Sequence, residues 1–443
     1  MKFVEDIKIE IDKKFPLFGV NKKREIVRLI YEIKKREEIS TKYILDQFNS
    51  NEGFNQVKKK LLSRRFPEAF SKNKKFEPYL PKIKISEQNF VQVKEKNFYP
   101  ERIYFDRESQ NSSVLKKAKE HFEESEFIEI PGFKEYCKNN KYDIQTYNNR
   151  RKNLFIVKEK YDFFKRCPCT KGCISCNYYI FNIGFGCPYE CTYCYLQEYT
   201  NSPGIVIPSD IQRHFNRVQT KLNKKTRMGS GEFADSLALD HITNFSSLII
   251  DRFRKFPEVV FEFKTKSTNI KNILKSIQSE NIVVSWSVNP QNIIDENEFY
   301  SASLEERINA AEKCVKAGFR VGFHFDPIFY YPTWEEDYKE VVEEIFDNIP
   351  KDRIAWISLG TFRFKRELKK IIENRFPENN ILDEELMIGF DGKLRYSKTK
   401  RKNIYQSIVD MIKKSNPQQF IYLCMENNDV WKSVGLKAQW EWF

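Results

Sequence analysis

Between Tyr179 and Asn374 the chain alternates short apolar runs with amphipathic stretches, and this alternation restricts it to a parallel sheet flanked by helices. Strand-like runs fall at Tyr179 to Gly184, Arg227 to Ser230, Val259 to Phe263, Ile282 to Val288, Phe319 to Phe325 and Ala355 to Gly360. Helical patterns separate them at Ser236 to Arg254, Asn269 to Ser279, Leu304 to Ala317 and Trp334 to Asp347, with another following at Lys365 to Asn374. The fold class is α/β, and six parallel strands suffice for an open, TIM-like (βα)6 partial barrel. Such barrels gather their chemistry at the carboxyl ends of the strands.

One such end is followed by Gly186-Cys-Pro-Tyr-Glu-Cys-Thr-Tyr-Cys-Tyr195, which sets Cys187, Cys191 and Cys194 at CxxxCxxC spacing. Three thiolates at this spacing suit one face of a cubane [4Fe-4S] cluster, leaving the fourth iron without a protein ligand. A structural zinc site completed by a distant cysteine is the alternative. Upstream, Cys167, Cys169, Cys173 and Cys176 place four more thiols within ten residues. They are candidates for zinc or a second cluster, or else are packed or redox-active thiols.

The sequence has 443 residues, ten of them cysteine, and a 40% hydrophobic content compatible with a large globular core. No apolar run approaches the roughly 20 residues that a bilayer requires. The N-terminus, Met1-Lys-Phe-Val-Glu-Asp6, lacks a signal peptide's apolar stretch, so a cytoplasmic location without membrane association is expected. The net charge of +14 points to a polyanion, DNA first, although Lys-rich faces are also simply well solvated.

Four regions are expected. Residues 1–95 form a basic helical accessory segment, with Asn21 capping a helix through Lys35, Ser40 capping one through Phe48, and a third helix from Phe54 to Arg65 carrying Lys58, Lys59, Lys60, Arg64 and Arg65. Pro67 and Pro78 to Pro81 then mark a linker. Residues 96–177 are an αβ lead-in with strands Ile103 to Phe105, Phe127 to Ile130 and Asn153 to Val157 and a helix Ser113 to Ser125, ending in the Cys-rich loop; 178–375 are the barrel; 376–443 are a C-terminal αβ segment with a strand Gln419 to Cys424.

The cysteine loop resembles that of the radical S-adenosylmethionine (SAM) superfamily. Cys191-Thr-Tyr-Cys-Tyr-Leu-Gln197, Ser285-Trp-Ser-Val-Asn-Pro290, Glu312-Lys-Cys-Val-Lys-Ala-Gly318 and Gly229-Ser-Gly-Glu-Phe-Ala-Asp-Ser-Leu-Ala-Leu-Asp240 together resemble the spore photoproduct lyase family from about Phe98 onward. The resemblance implies the superfamily's partial barrel and a carbon–carbon lyase acting on UV-damaged DNA. In that family an adenosyl radical removes a hydrogen from cross-linked thymines, the linking bond fragments, and a hydrogen atom is returned. It assigns the cluster to Cys187, Cys191 and Cys194, and S-adenosylmethionine to Gly229, Gly231, Glu232, Lys266, Ser287 and Asn289. Tyr193 and Tyr195 match two tyrosines implicated in hydrogen relay. Flavodoxin or ferredoxin is the electron donor to expect.

The best-known lyases place a hydrogen-donating cysteine where this chain has Glu232, and no cysteine lies between Cys194 and Cys314. Cys424 is the candidate substitute. In the family a C-terminal hairpin opens the duplex, and here Arg363, Arg395, Tyr396, Lys398, Lys400 and Arg401 are the basic and aromatic candidates for DNA contact. Two other readings stand beside this one. The radical chemistry could serve another nucleic-acid lesion or base, or the protein could be a DNA-binding, damage-sensing module with an idle cluster.

Overall fold

The computed structural model describes residues 2–72, 76–93, 97–138, 142–158, 163–198, 202–215, 218 and 226–437. They divide into two compact units. The larger comprises residues 93–328, 332–361 and 402–443, and the smaller residues 1–92, 329–331 and 362–401.

The larger unit holds two main sheets. In chain order its strands are β1 (Arg102–Asp106), β2 (Glu126–Ile130), β3 (Asn153–Val157), β4 (Phe164–Arg166), β5 (Tyr178–Phe181), β6 (Glu190–Cys191), β7 (Ile205–Pro208), β8 (Thr226–Ser230), β9 (Val259–Thr265), β10 (Ile282–Ser287), β11 (Glu298–Phe299), β12 (Arg320–Ile328), β13 (Ile354–Thr361) and β17 (Ile421–Leu423). The lead-in is a four-stranded parallel sheet, ordered β2-β1-β3-β7. The curled half-barrel has eight strands, ordered β17-β13-β12-β10-β9-β8-β5-β4. Its six central strands are those the alternation predicts. β17 extends it in parallel beyond β13, and β4 closes the other edge antiparallel to β5.

These strands read as apolar runs because parallel strands are covered on both faces. In β9, Val-Val-Phe-Glu-Phe-Lys-Thr, only Lys264 is not fully buried. Among the crossover helices, Leu304–Lys316 begins with a reciprocal cap, the Glu306 N–H bonding Ser303 Oγ at 3.2 Å and the Ser303 N–H bonding Glu306 Oε2 at 2.8 Å. The helix expected over Ser236 to Arg254 is instead two, Asp240–Thr243 and Phe245–Phe253, because Asn244 turns left-handed at φ 53° between them. The one expected at Asn269 to Ser279 shortens to Lys271–Leu274.

The smaller unit is built from α1 (Lys2–Lys14), α2 (Val20–Glu37), α3 (Thr41–Leu45), α4 (Phe54–Arg65) and α5 (Pro67–Lys72), with a helix Arg366–Arg375 and the strands β14 (Arg363–Phe364), β15 (Met387–Ile388) and β16 (Leu394–Arg395). Ser40 caps α3 as expected, accepting from the Tyr43 N–H at 3.1 Å. Asn21 is no cap: α2 starts at Val20, and Asn21 accepts from Arg24. Pro67 opens α5 rather than a linker, since a first-turn N–H has no intrahelical partner to lose. Phe76, Leu80, Ile83 and Ile85 pack onto the same core as Ile7, Ile30 and Leu61, so this stretch belongs to the fold.

The region expected as one C-terminal segment, 376–443, divides: residues up to 401 cluster with the N-terminal helices and those from 402 with the barrel. Buried charges bind the smaller unit together. The Glu32 carboxylate accepts from Arg28 at 2.5 Å, Lys369 at 2.7 Å and Arg65 at 2.9 Å, while Glu373 takes both nitrogens of the Arg28 fork, at 2.5 and 3.1 Å. Arg65, one of the basic residues read along the third helix, is therefore buried.

Candidate active site

The loop after β5 is held from three sides. From the lead-in, the buried guanidinium of Arg150 donates to the Glu190 carboxylate at 2.6 Å and to the Tyr189 carbonyl at 2.7 Å, while Arg151 donates to the Pro188 carbonyl at 2.6 Å. On a second side, β6 pairs antiparallel with β11, setting Glu298 opposite Cys191, and the Thr192 N–H bonds the Asn297 carbonyl at 2.9 Å. From within, the Gln197 amide donates to the carbonyls of Thr192 at 2.8 Å and Cys194 at 3.0 Å. These bonds fix the backbone between the cysteines before anything binds them.

Cys191 is buried, and Cys187 and Cys194 are half-buried. Burial pushes all three thiols up, Cys187 to about 12 with the Asp235 carboxylate adding to the effect. Backbone N–H groups of Tyr189 and Leu196 bond Cys187 and Cys194, and the Lys266 ammonium favours the thiolates of Cys191 and Cys194. Three sulfurs short of positive charge, with N–H donors aimed at two of them, fit a ligand set for iron. Among the described residues, no three or more His, Cys, Asp and Glu converge as a single metal ion needs. A cubane makes no such demand, since it spreads its ligands over separate corners.

Among the described residues the upstream thiols Cys167, Cys169, Cys173 and Cys176 form no such single-ion group either, so zinc there is not shown. Cys167 and Cys169 instead share a hydrogen bond, with Cys176 and Cys424 close enough to raise the Cys167 thiol further. The Ile174 N–H bonds the Glu426 carbonyl at 2.9 Å, which brings this loop to the end of β17 where Cys424 sits.

The ends of β8, β9 and β10 form the rest of the site. A Cβ on Gly229 would lie 1.8 Å from Tyr178 Oη and 2.6 Å from the Glu262 carbonyl oxygen, so no side chain fits there. Gly231 has φ +106°, a conformation that favours glycine, and a Cβ there would crowd Ser236 Oγ at 3.0 Å and the Ala234 carbonyl oxygen at 3.2 Å. Asp235 laces the strand ends together, accepting from the N–H groups of Leu237 and Ala238, from Thr265 Oγ1 at 2.6 Å and from the Lys266 N–H at 2.7 Å. Glu232 pairs with Lys165 of β4 at 2.7 Å, and its carbonyl accepts from the Tyr195 hydroxyl.

Behind the cysteine loop lies a buried carboxylate that the sequence did not reveal. Glu298 accepts from the Tyr193 hydroxyl, from Asn289 at 2.9 Å and from Arg307 at 2.7 Å. Burial alone would raise its carboxyl, but Lys266 and Arg307 outweigh that and hold it at about 2. Burial lowers Lys266, and Glu298 with Cys191 more than restores it, leaving a cation above its ordinary range. The Asn289 amide bonds at both ends, donating to Glu298 and accepting from Tyr338 at 2.8 Å, and so helps to position Glu298. Ser287, at the end of β10, is buried, and its carbonyl accepts from Arg307 at 2.8 Å.

A second missed cluster fills the barrel interior. Glu262 receives Arg227 at 2.8 Å, His324 at 2.7 Å, Ser285 at 2.6 Å and Trp356 at 2.9 Å. Burial takes His324 down to about 4, so it is a neutral donor at pH 7, and Arg227 supplies the compensating charge. The one legible sign was an acidic residue inside an apolar strand.

The basic and aromatic candidates near the hairpin are not brought together on a surface. Tyr396, Arg395 and Arg401 are buried: Arg395 pairs with Asp391 at 2.9 Å, and Arg401 donates to the Tyr396 carbonyl at 2.7 Å. Lys400 pairs with Glu384, Arg363 is half-buried, and Lys398 is exposed. At the tip, Phe390 is 50% exposed and Ile388 42%.

Comparison with known proteins agrees with this arrangement. The spore photoproduct lyase family profile matches residues 98–424. The spore photoproduct lyase of Bacillus subtilis (strain 168) is 27% identical over 254 residues, covering 55% of this chain and 72% of the relative. That of Geobacillus sp. (strain Y412MC61) is 25% identical over 305 residues, covering 65% and 86%. A solved structure of spore photoproduct lyase complexed with dinucleoside spore photoproduct superposes with a TM-score of 0.64 at 23% identity, over 74% of this chain and 99% of that one, and so shares the fold. With the cysteine loop at a strand's carboxyl end and the profile spanning both sheets, the chain belongs to the spore photoproduct lyase family of radical S-adenosylmethionine lyases.

Proposed function

We propose that this enzyme cleaves the thymine–thymine cross-link of spore photoproduct in DNA. The observation that carries the reading is the trio Cys187, Cys191 and Cys194 on a braced loop, with Cys191 and Cys194 within electrostatic reach of Lys266, in a chain matching the family from residue 98 to 424. A [4Fe-4S] cluster with an open corner, together with S-adenosylmethionine, supplies when bound one electron and a 5'-deoxyadenosyl radical. The three cysteines would hold the cluster. The Gly229–Gly231 turn would let backbone approach the methionyl group, the Lys266 ammonium would pair with its carboxylate, and the buried Ser287 would offer a hydroxyl. Glu232, already paired with Lys165, would meet the methionyl amino group only by sharing its carboxylate.

The chain's own residues also supply the hydrogens. Tyr193 holds its phenolic hydrogen on Glu298, and Tyr195 holds its own on the Glu232 carbonyl, two positions from which a relay to the cofactor can run. Cys424 takes the part of the missing donor: its S–H bond would break as a C–H bond forms on the thymine carbon radical, a tyrosine O–H would return a hydrogen atom to the sulfur, and the resulting tyrosyl would regain one from 5'-deoxyadenosine. Phe390, half-exposed at the hairpin tip, replaces the buried Tyr396 as the aromatic group available to stack on an opened base pair. The electron donor would be a flavodoxin or ferredoxin.

A second reading, action on another nucleic-acid lesion or base, is favoured by Glu232 at the family's thiol position. Anaerobic reconstitution followed by product analysis on an oligonucleotide containing dithymine spore photoproduct separates the two. Restored thymines with 5'-deoxyadenosine support repair. Formation of 5'-deoxyadenosine without thymine overturns it in favour of another substrate.

A further inference from the structure

Charge divides unequally between the two units. The smaller carries 33 Lys and Arg against 20 Asp and Glu, a net +13, whereas the larger carries 43 against 42, a net +1. Nearly all of the chain's +14 therefore belongs to a unit whose N-terminal helices lie outside the family match. Several of its cations are spent internally, Arg28, Arg65 and Lys369 on Glu32 and Glu373, and Arg395 on Asp391. The surplus that remains must lie on its surface.

α4 shows where. Val57, Leu61, Leu62 and Arg65 face the core. Asn55, Gln56, Lys59, Lys60 and Ser63, at helical offsets of one, four, five and eight from the first, are all exposed. Each of these side chains has a donor and none is a carboxylate. A shallow hollow of about 710 Å³ runs along this face, lined by Gln47, Gln56, Lys59, Lys60, Ser63 and Arg64 with Phe70 at its floor. Tyr43, 58% exposed, places its ring 5.9 Å from the Arg64 guanidinium. Acidic neighbours do approach: Glu52 pairs with Lys60 at 2.8 Å, Glu37 with Arg64 at 2.6 Å and Glu25 with Lys58 at 2.6 Å. The Lys58 and Lys60 ammonium ends of these pairs are exposed and exchange partners readily, whereas Arg64–Glu37 is half-buried; Lys59 has no partner among the described residues.

We propose that the exposed face of α4 docks double-stranded DNA, with Lys59 and Lys60 bonding backbone phosphates. The 12-residue helix is about 18 Å long and polar along one side, dimensions that suit the wide major groove of B-form DNA. The narrow major groove of duplex RNA would exclude it. Only the identity of the polyanion rests on the repair reading.

The test is fluorescence anisotropy with a lesion-free DNA duplex and the full chain, titrated between about 50 and 200 mM KCl. Lys59→Gln/Lys60→Gln is compared with Lys271→Gln/Lys275→Gln, which removes the same charge from exposed positions of the larger unit. The α4 variant is expected to bind severalfold more weakly and to flatten the slope of log K against log salt by about 2, roughly 0.9 for each phosphate no longer neutralised. Lys59→Arg/Lys60→Arg should restore both, and the control pair should change neither appreciably. An unchanged slope in the α4 variant, an equal loss in the control pair, or a larger loss for single-stranded RNA than for duplex DNA would each overturn the proposal. Lesion-free DNA keeps the two readings distinguishable: if wild-type enzyme leaves spore photoproduct intact while the α4 effect persists, the repair reading fails and this one stands.

Discussion

Replacing Glu32 with alanine tests whether the N-terminal helices and residues 362–401 are one folding unit. In the native unit Glu32 and Glu373 face three buried cations, Arg28, Arg65 and Lys369. Without Glu32, Arg28 keeps Glu373, and Lys369 retains the same carboxylate only at 4.0 Å. Among the described residues Arg65 keeps no charged partner, and is left with the carbonyls of Leu382 at 3.3 Å and Glu384 at 3.2 Å. Stranding a buried charge in this way costs about 3–5 kcal/mol. All six tryptophans lie in the larger unit, so their fluorescence follows that unit, while far-UV helical signal includes the smaller. Urea denaturation of Glu32→Ala should therefore show loss of helix well before the tryptophan transition, which stays at the wild-type midpoint. Burial pushes the Glu32 carboxyl up, but Lys369, Arg28 and Arg65 together hold it well below its ordinary range. Its contribution is then fully present above the ordinary Glu value of about 4.3 and is lost as pH falls below that, so the gap between variant and wild type should close in acid. Coincident transitions at pH 7, or a gap independent of pH, would refute the reasoning.

Three further outcomes follow from the larger unit and the hairpin. Glu298→Ala should destabilise the larger unit by about 3 kcal/mol, because Arg307 loses its carboxylate partner, and should reduce the iron retained after reconstitution; adding Arg307→Met should recover much of the stability, as urea titration of the double variant would register. Gly229→Ala should yield little folded protein, because the new Cβ overlaps Tyr178 Oη and the Glu262 carbonyl; near-wild-type thermal melting would contradict that. Phe390→Ala should leave the melting temperature unchanged yet slow turnover of a damaged duplex several-fold while sparing a dinucleotide substrate, an asymmetry that parallel rate measurements would expose.

What the sequence made legible, and what it hid, follows from the range of the forces involved. Parallel strands covered on both faces become apolar runs, so the six barrel strands could be read directly from stretches such as Ile282-Val-Val-Ser-Trp-Ser287. The cysteine loop was legible because its three thiols are neighbours in sequence. The Glu298 network was not, since Tyr193 and Glu298 are 105 residues apart and nothing local distinguishes a buried glutamate from a solvated one. The same holds for Arg28 and Glu373, 345 residues apart, whose pairing attaches the N-terminal helices to residues 362–401. Basic residues misled for a related reason: Arg395 and Arg401 read as a solvated run, yet their partners, Asp391 and the Tyr396 carbonyl, bury them.

The division of charge also bears on how recognition and chemistry can be combined in one chain. In the larger unit the strongest charges are buried and matched, Arg227 with Glu262, Arg307 with Glu298 and Arg150 with Glu190, so the net field there is close to neutral. Buried pairs are little screened by salt, whereas exposed lysines release and recapture counterions with every change in ionic strength. A radical reaction housed among matched charges keeps its internal electrostatics fixed while the smaller unit's surplus governs affinity for the polyanion. Raising salt should consequently weaken duplex binding steeply and leave reductive cleavage of S-adenosylmethionine, assayed without DNA, almost unaffected. Were both to fall together, the separation of the two roles would be wrong, and the charge of the smaller unit would have to act on the reaction itself.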